Sequence, residues 1–319
     1  MTQTTTDWAP AWQAGQHQAP AGRAGYLGTV RSEWTKIRSV RSTYWTLLAM
    51  IVTSVGIGAL FSWGQSQRMV RARQGILGGG PGGAPAAPVS PAARAHLIAQ
   101  RAAEIHANAA TTSLFGLLLG QLIIIVLGSL VITSEYSTGM IRTSLTSMPR
   151  RGTVFAAKAT VFGLVALVTG LITSFLAFFV GQAILSGQQV NTTLGQPGVL
   201  RVVIGGGLFL AVTGLLSFGL GAMMRHTAGA IAAGIGLMFV LWILSNFLPS
   251  PPSGWFGQAD IDKWIPFNAG AAIWTQATGG NGAATGLNPF SPWVGFAVFC
   301  GYAAVALIVG VTLFKKRDA

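Results

Sequence analysis

Charge is what this chain has least of. Of 319 residues, 20 are Lys or Arg and 7 are Asp or Glu, 8% in all, whereas ordinary globular domains carry about 25% because water must solvate their surface. Water is therefore not its main solvent. Disorder of the whole chain is excluded from the other side, since 51% of the residues are hydrophobic and such a chain collapses. The net charge of +13 invites a polyanion as partner, but a nucleic-acid-binding face normally sits on a polar, soluble domain, so no nucleic acid is expected. Cysteine is nearly absent: Cys300 stands alone and permits no intramolecular disulfide. The four histidines (His17, His96, His106, His226) show no metal-ligand spacing. The first 26 residues lack the apolar core of a cleaved signal peptide and read as a flexible cytoplasmic tail.

Nucleotide chemistry is also missing. A phosphate-binding loop of the Walker type needs Gly-Lys before Ser or Thr, and no lysine here follows a glycine. The Gly-x-Gly pairs Gly56/Gly58 and Gly219/Gly221 lie in apolar runs, where close helix packing explains them. Leu185-Ser186-Gly187-Gln188-Gln189 is one letter from the ATPase peptide LSGGQ, without an ATPase domain around it. Ser217 and His226 are neighbours in sequence, but Leu215 stands where a serine elbow needs glycine. No catalytic, cofactor-binding or metal-binding residue is expected, and the chain does not read as an enzyme.

What is present is apolar length. A helix crosses a bilayer core of about 30 Å with about 20 apolar residues, and six stretches have it: Tyr44 to Trp63, Ser113 to Thr133, Thr160 to Leu185, Val202 to Met224, Ala228 to Leu248 and Trp293 to Phe314. The fold class is thus all-α and polytopic, one six-span domain over residues 27–319, with a long insertion, 64–112, between the first two spans. Gly116 and Gly120 form a GxxxG pair suited to subunit pairing. Cationic loops stay cytoplasmic; with both termini inside, the inner segments hold 13 Lys and Arg and the outer ones 7. Both termini are expected in the cytoplasm. None of the six stretches contains Asp, Glu, Lys or Arg. Ion-driven carriers usually keep an ionisable residue at membrane depth, so the energy for transport is expected from another polypeptide. A sodium site at a helix broken near Gly205 to Gly207 is the remaining carrier alternative.

Two cytoplasmic segments carry sharper patterns. In Leu27 to Tyr44, Leu27, Val30, Trp34 and Ile37 recur at steps of three and four, with Arg31, Ser32, Glu33, Thr35, Lys36 and Arg38 opposite, the pattern of a helix lying in the membrane interface with its cations toward anionic lipid. The segment after the second span, Glu135 to Arg151, is the length of a short helix with a turn at each end. Met140, Ile141, Leu145 and Met148 give it an apolar stripe suited to a partner's groove. Pro149 ends it, Glu135 and Arg142 serve as polar fixings, and Arg150, Arg151 and Lys158 anchor the next span.

Ser32-Glu33-Trp34-Thr35-Lys36-Ile37-Arg38-Ser39 with Thr43-Tyr44-Trp45-Thr46-Leu47-Leu48, and Glu135-Tyr136-Ser137-Thr138-Gly139 through Arg142 to Pro149-Arg150-Arg151 and Ala156-Ala157-Lys158, resemble the permease subunits of type-2 ABC exporters, especially the Ala- and Gly-rich actinobacterial kind. The resemblance implies two permease subunits per transporter, expected as a homodimer, and an elbow helix formed by Val30, Glu33, Trp34, Lys36, Ile37 and Arg38. It also implies a coupling helix, Gly139 to Met148, seated on a separate ATPase present in two copies that binds the ATP and Mg. Re-entrant helices between the last two spans would begin near Asp260 to Asn268. The expected activity is ATP-driven outward movement of an amphipathic or lipophilic cargo, a drug, antibiotic, lipid or peptide. Thr53, Ser54, Gln121, Ser129, Thr169 and Thr173 are candidates for the cargo path. A secondary carrier, or a structural or sensory membrane protein, is the alternative.

Overall fold

In lipid, every backbone N–H and C=O must find a partner inside its own segment, and the apolar stretches fold accordingly. The computed structural model describes residues 25–74, 90–137, 151–247, 262–276 and 290–316, and among them there is no strand. In chain order, α1 (Tyr26–Ser39) leads to α2 (Arg41–Arg73), then α3 (Pro91–Ala107), α4 (Ala109–Ser113) and α5 (Leu117–Ser137). Next come α6 (Arg151–Ser186), α7 (Val199–Met224) and α8 (Thr227–Ile235), the last continued by a π-helical turn, Gly236–Val240, and by α9 (Leu241–Phe247). α10 (Pro266–Ala271) and α11 (Pro292–Lys316) follow. Six helical stretches are long and apolar enough to cross a membrane: α2, α5, α6, α7, the α8-to-α9 stretch and α11. The all-α, six-span architecture expected from the sequence is the one observed.

The centre of the bundle is α7, flanked by α5, α6 and α11. Its glycines let those neighbours approach: a Cβ on Gly219 would lie 2.7 Å from the backbone of Ala306, and one on Gly128 2.6 Å from the carbonyl of Gly214. Small residues at helix crossings are the usual route to tight packing where lipid supplies no hydrophobic drive. Phe162, Phe209, Phe218 and Phe299 fill the space between the crossings and are wholly buried. Outward, α2, α9 and α11 expose Val52, Leu60, Phe61, Ile243, Leu244, Phe247, Val305 and Ile308, a surface that suits acyl chains and not water.

Several sequence expectations change. α7 runs unbroken through Gly205 to Gly207, so no helix break offers carbonyls to sodium there. Gly116 and Gly120 are not free for another subunit: a Cβ on either would strike Ser54 of α2 in the same chain. Within the 64–112 segment, α2 continues to Arg73 and α3 and α4 are helical. Residues 265–274 are buried, with Phe267 ringed by Phe209 and Trp242 at 6.2 and 5.1 Å between centroids. Arg201 fixes this segment, donating from Nη1 to the carbonyls of Ala272 (3.2 Å) and Ile273 (2.8 Å) and from Nη2 to that of Thr275 (3.1 Å).

Candidate functional site

At one end of the bundle, outside the apolar stretches, acidic and basic side chains meet. On α1, Thr29, Glu33 and Lys36 follow at steps of four and three, so they share one helical face, and that face packs along α6. Tyr26 marks the same seam, its hydroxyl 2.9 Å from Thr160 Oγ1. Leu27 and Trp34 point outward, in keeping with an apolar stripe toward lipid. Glu33 does not stay on the solvated side assigned to it from the pattern. It is 3% exposed and faces the protein, and Lys36 turns with it.

What Glu33 meets is Lys158 of α6, which donates to Glu33 Oε2 at 2.6 Å and to Glu135 Oε1 of α5 at 2.7 Å. Lys36 closes the ring, donating to Glu33 Oε1 at 2.6 Å and lying 3.6 Å from Glu135 Oε1. Two carboxylates and two ammoniums thus alternate with no net charge, joining three helices. The Lys158 side chain is 6% exposed and that of Glu135 11%, while Lys36 is 37% exposed. A buried ion without a partner is costly, whereas a paired and hydrogen-bonded one is tolerated. Burial alone pushes the Glu33 carboxyl up, but the ammoniums of Lys158 and Lys36 outweigh it and hold the group below its ordinary value of 4.5. Burial likewise pulls Lys36 down, and the carboxylates of Glu33 and Glu135 outweigh that, raising it above its ordinary 10.5.

Contacts beside the ring extend the junction. Tyr136 carries Arg225 over its ring at 5.1 Å and meets Phe314 edge-on at 6.3 Å. Thr227 donates to Thr133 Oγ1 at 2.9 Å. Gly152 at the start of α6 lies where a Cβ would touch the Lys315 stem at 2.7 Å. The ends of α5, α7 and α11, the starts of α6 and α8 and the second half of α1 therefore converge here. The chain leaves this point after Ser137 and returns at Arg151. Gly139, Met140, Ile141, Arg142, Leu145, Met148 and Pro149 lie outside the described residues, but Glu135 and Lys158, one on each flank, are both in the ring.

Other expected residues are placed as follows. Of the elbow set, Val30 and Ile37 are half-buried and Arg38 is exposed. Ser54, Gln121, Ser129 and Thr173 are fully buried inside the subunit, whereas Thr53 and Thr169 are half-buried and bond back to their own helices. Ser217 donates to Thr213 O at 3.0 Å, and His226 Nδ1 accepts from Gly229 N as the cap of α8, so each has a structural duty and they form no catalytic pair. Leu185 sits in a small core and Gln188 accepts from Arg73, which accounts for the LSGGQ-like peptide. Lys158, expected as an interfacial anchor, instead bridges two buried carboxylates. The available signal is scarcity: with 7 acidic residues in 319, Glu33 ahead of the first span and Glu135 just after the second stand out.

A protein-family model described as ABC-2 family transporter protein matches residues 84–319. The match includes α3 through α11, with Glu135 and Lys158, and begins after α1 and α2. No curated protein matches the chain. With the greater part of its length matched and six apolar helices spanning it, the chain belongs to the ABC-2 family of transporters, as a multi-pass membrane subunit.

Proposed function

We propose that the chain is the permease half of an ATP-driven exporter that moves an amphipathic or lipophilic cargo outward, with a separate ATPase seated on the segment 139–148. The observation that carries this is the buried charge ring, which fastens both flanks of that segment to each other and to α1. A push delivered to a segment held at both ends moves α5, α6 and α1 as one body. The ATPase subunits, two to a transporter, hold ATP and Mg, since this chain has no phosphate loop of its own. A second copy of the permease completes the transporter in the bacterial plasma membrane. Both termini are cytoplasmic in this reading, supported by the excess of Lys and Arg on that side.

The cargo path runs along small polar residues. Ser54, Gln121, Ser129 and Thr173 contribute to it when the helices enclosing them part, and Thr53 and Thr169 stand at its margins. Co-purification of the ATPase tests the seat: Met140→Asp with Leu145→Asp abolishes it, and retention at wild-type level overturns the assignment. Efflux of a lipophilic dye from cells tests the energy source. It stops when the Walker lysine of the ATPase is replaced; efflux indifferent to that change but abolished by an ionophore identifies a secondary carrier instead.

A further inference from the structure

At the end of the bundle opposite the charge ring, α2, α3 and the end of α6 build a small cap with its own core of Met69, Ile105, Ala109, Leu185 and Val190. Its ionisable surface is one-sided. Arg68, Arg71, Arg73, Arg94 and Arg101 are all exposed, and among the described residues Glu104 is the one carboxylate they meet, already paired with Arg101 at 3.1 Å. Residues 75–89, which join α2 to α3, contain no ionisable side chain. Two of the guanidiniums are held in place: Arg73 donates to Gln188 Oε1 at 3.0 Å and Gln188 O at 2.8 Å, and Arg94 donates to Arg73 O at 2.9 Å. Arg68 and Arg71 extend along α2 with no carboxylate partner among the described residues.

Their height matters. The apolar stretch of α2 ends at Trp63, which is 57% exposed, and an exposed Trp at the end of a span marks headgroup level. At about 1.5 Å per residue, Arg68 lies roughly 7 Å and Arg71 roughly 12 Å further along, at and just beyond the outer edge of a headgroup layer about 5–8 Å deep, from where a guanidinium on its flexible stem reaches back to the phosphates. All five cations are arginine, whose planar fork fits phosphate oxygens in pairs in a way lysine cannot. Basic residues on this side also run against the charge bias that orients the chain. We propose that the arginine cap binds the phosphate headgroups of anionic lipid in the leaflet facing it, so that this leaflet's composition sets how the permease is seated.

The test uses the full-length permease in nanodiscs of phosphatidylcholine containing a minority of phosphatidylglycerol, with lipid retained per protein read by native mass spectrometry. Phosphatidylglycerol is enriched over its share of the bilayer. Arg68→Gln with Arg71→Gln lowers that enrichment by up to about 25-fold, since each cation near an anionic surface is worth roughly fivefold. Arg68→Lys with Arg71→Lys restores part of it and shows that the site tolerates substitution. Lys315→Gln with Lys316→Gln, at the opposite end, measures the share owed to the other leaflet. No enrichment in the wild type, or enrichment unchanged in the double Gln variant, overturns the proposal. Displacement by inorganic phosphate beyond that by chloride at equal ionic strength also overturns it, because the ligand is then the free anion. No ATPase is present, so the result is independent of the coupling reading.

Discussion

Lys158→Met is the perturbation that most directly questions the charge ring. Methionine keeps an unbranched stem in place and removes the ammonium that donates to Glu33 and Glu135 at 2.6 and 2.7 Å. Those two oxygens share one nitrogen, so they lie no more than about 5 Å apart, and at an effective dielectric of 20 two like charges at that distance repel by about 3 kcal/mol. Breaking a buried pair by deleting one partner generally costs about 3–5 kcal/mol; Lys36 stays beside both carboxylates and offsets part of this, which puts the cost at the lower end, about 3 kcal/mol. At about 2 °C per kcal/mol for a chain of this size, the melting temperature in detergent, followed by tryptophan fluorescence, falls by about 6 °C or more. Lys36→Met removes a cation that is 37% exposed and costs about 1 kcal/mol or less. A Lys158→Met variant no less stable than Lys36→Met would refute the reasoning, because it would mean that water already screens the ring.

Stability is flat between mid-acid and mid-alkaline pH. Glu33, lowered on folding, contributes fully above 4.5, and its contribution fades as pH falls through its folded value. Lys36, raised on folding, contributes fully below 10.5 and fades as pH rises through its own. Melting curves across pH check this, and Glu33→Gln flattens the acid limb; an equally steep limb in that variant excludes Glu33 as its source. Gly116→Ala drives a methyl into the Ser54 backbone and destabilises by about 2 kcal/mol or more, whereas Gly56→Ala, with open space around it, changes stability by less than about 1 kcal/mol. Denaturant titration separates the two, and equal effects would deny the α2–α5 contact. Arg201→Ala leaves three carbonyls of residues 272–275 without their charged donor, at about 1.5–3 kcal/mol. Hydrogen exchange then rises at residues 265–274; unchanged protection there removes Arg201 from its supports.

The six spans were legible because one physical length, the thickness of a bilayer, fixes how many apolar residues a helix needs. The ring was not, because apolar counting stops at the first charge while backbone hydrogen bonding does not. Glu135 and Lys158 each stood two residues outside the stretches drawn from hydropathy, yet they lie within α5 and α6. On α1, periodicity marked Leu27, Val30, Trp34 and Ile37 as one face, but an amphipathic pattern does not say which face meets protein, and in a membrane the apolar one can meet lipid. Gly116 and Gly120 were legible as a packing surface, though not as one already used by Ser54. α10 has six residues and no periodicity to detect. Its contacts are with residues about sixty positions earlier in the chain: Phe209 packs on Phe267 within it, and Arg201 holds the carbonyls just after it.

Why a junction between apolar helices should spend four charges follows from what apolar packing cannot do. Two greasy helices can slip by a turn, about 5.4 Å, and recover much of their contact. If α1 slips on α6, Lys158 loses Glu33 and Lys36 loses Glu135, so each buried charge keeps one partner where it had two. The ring therefore fixes register, a use of buried polar groups best attested where helices could otherwise pair in more than one way. This separates coupling from stability. A triple variant, Glu33→Gln, Glu135→Gln and Lys158→Met, removes the three buried charges and leaves the 37% exposed Lys36 to water; its stability stays within about 1 kcal/mol of the wild type, but it lacks the ionic lock between α1 and α6. With the ATPase bound, its nucleotide hydrolysis continues while efflux falls severalfold. Wild-type efflux from a stable triple variant would show that the ring serves folding alone.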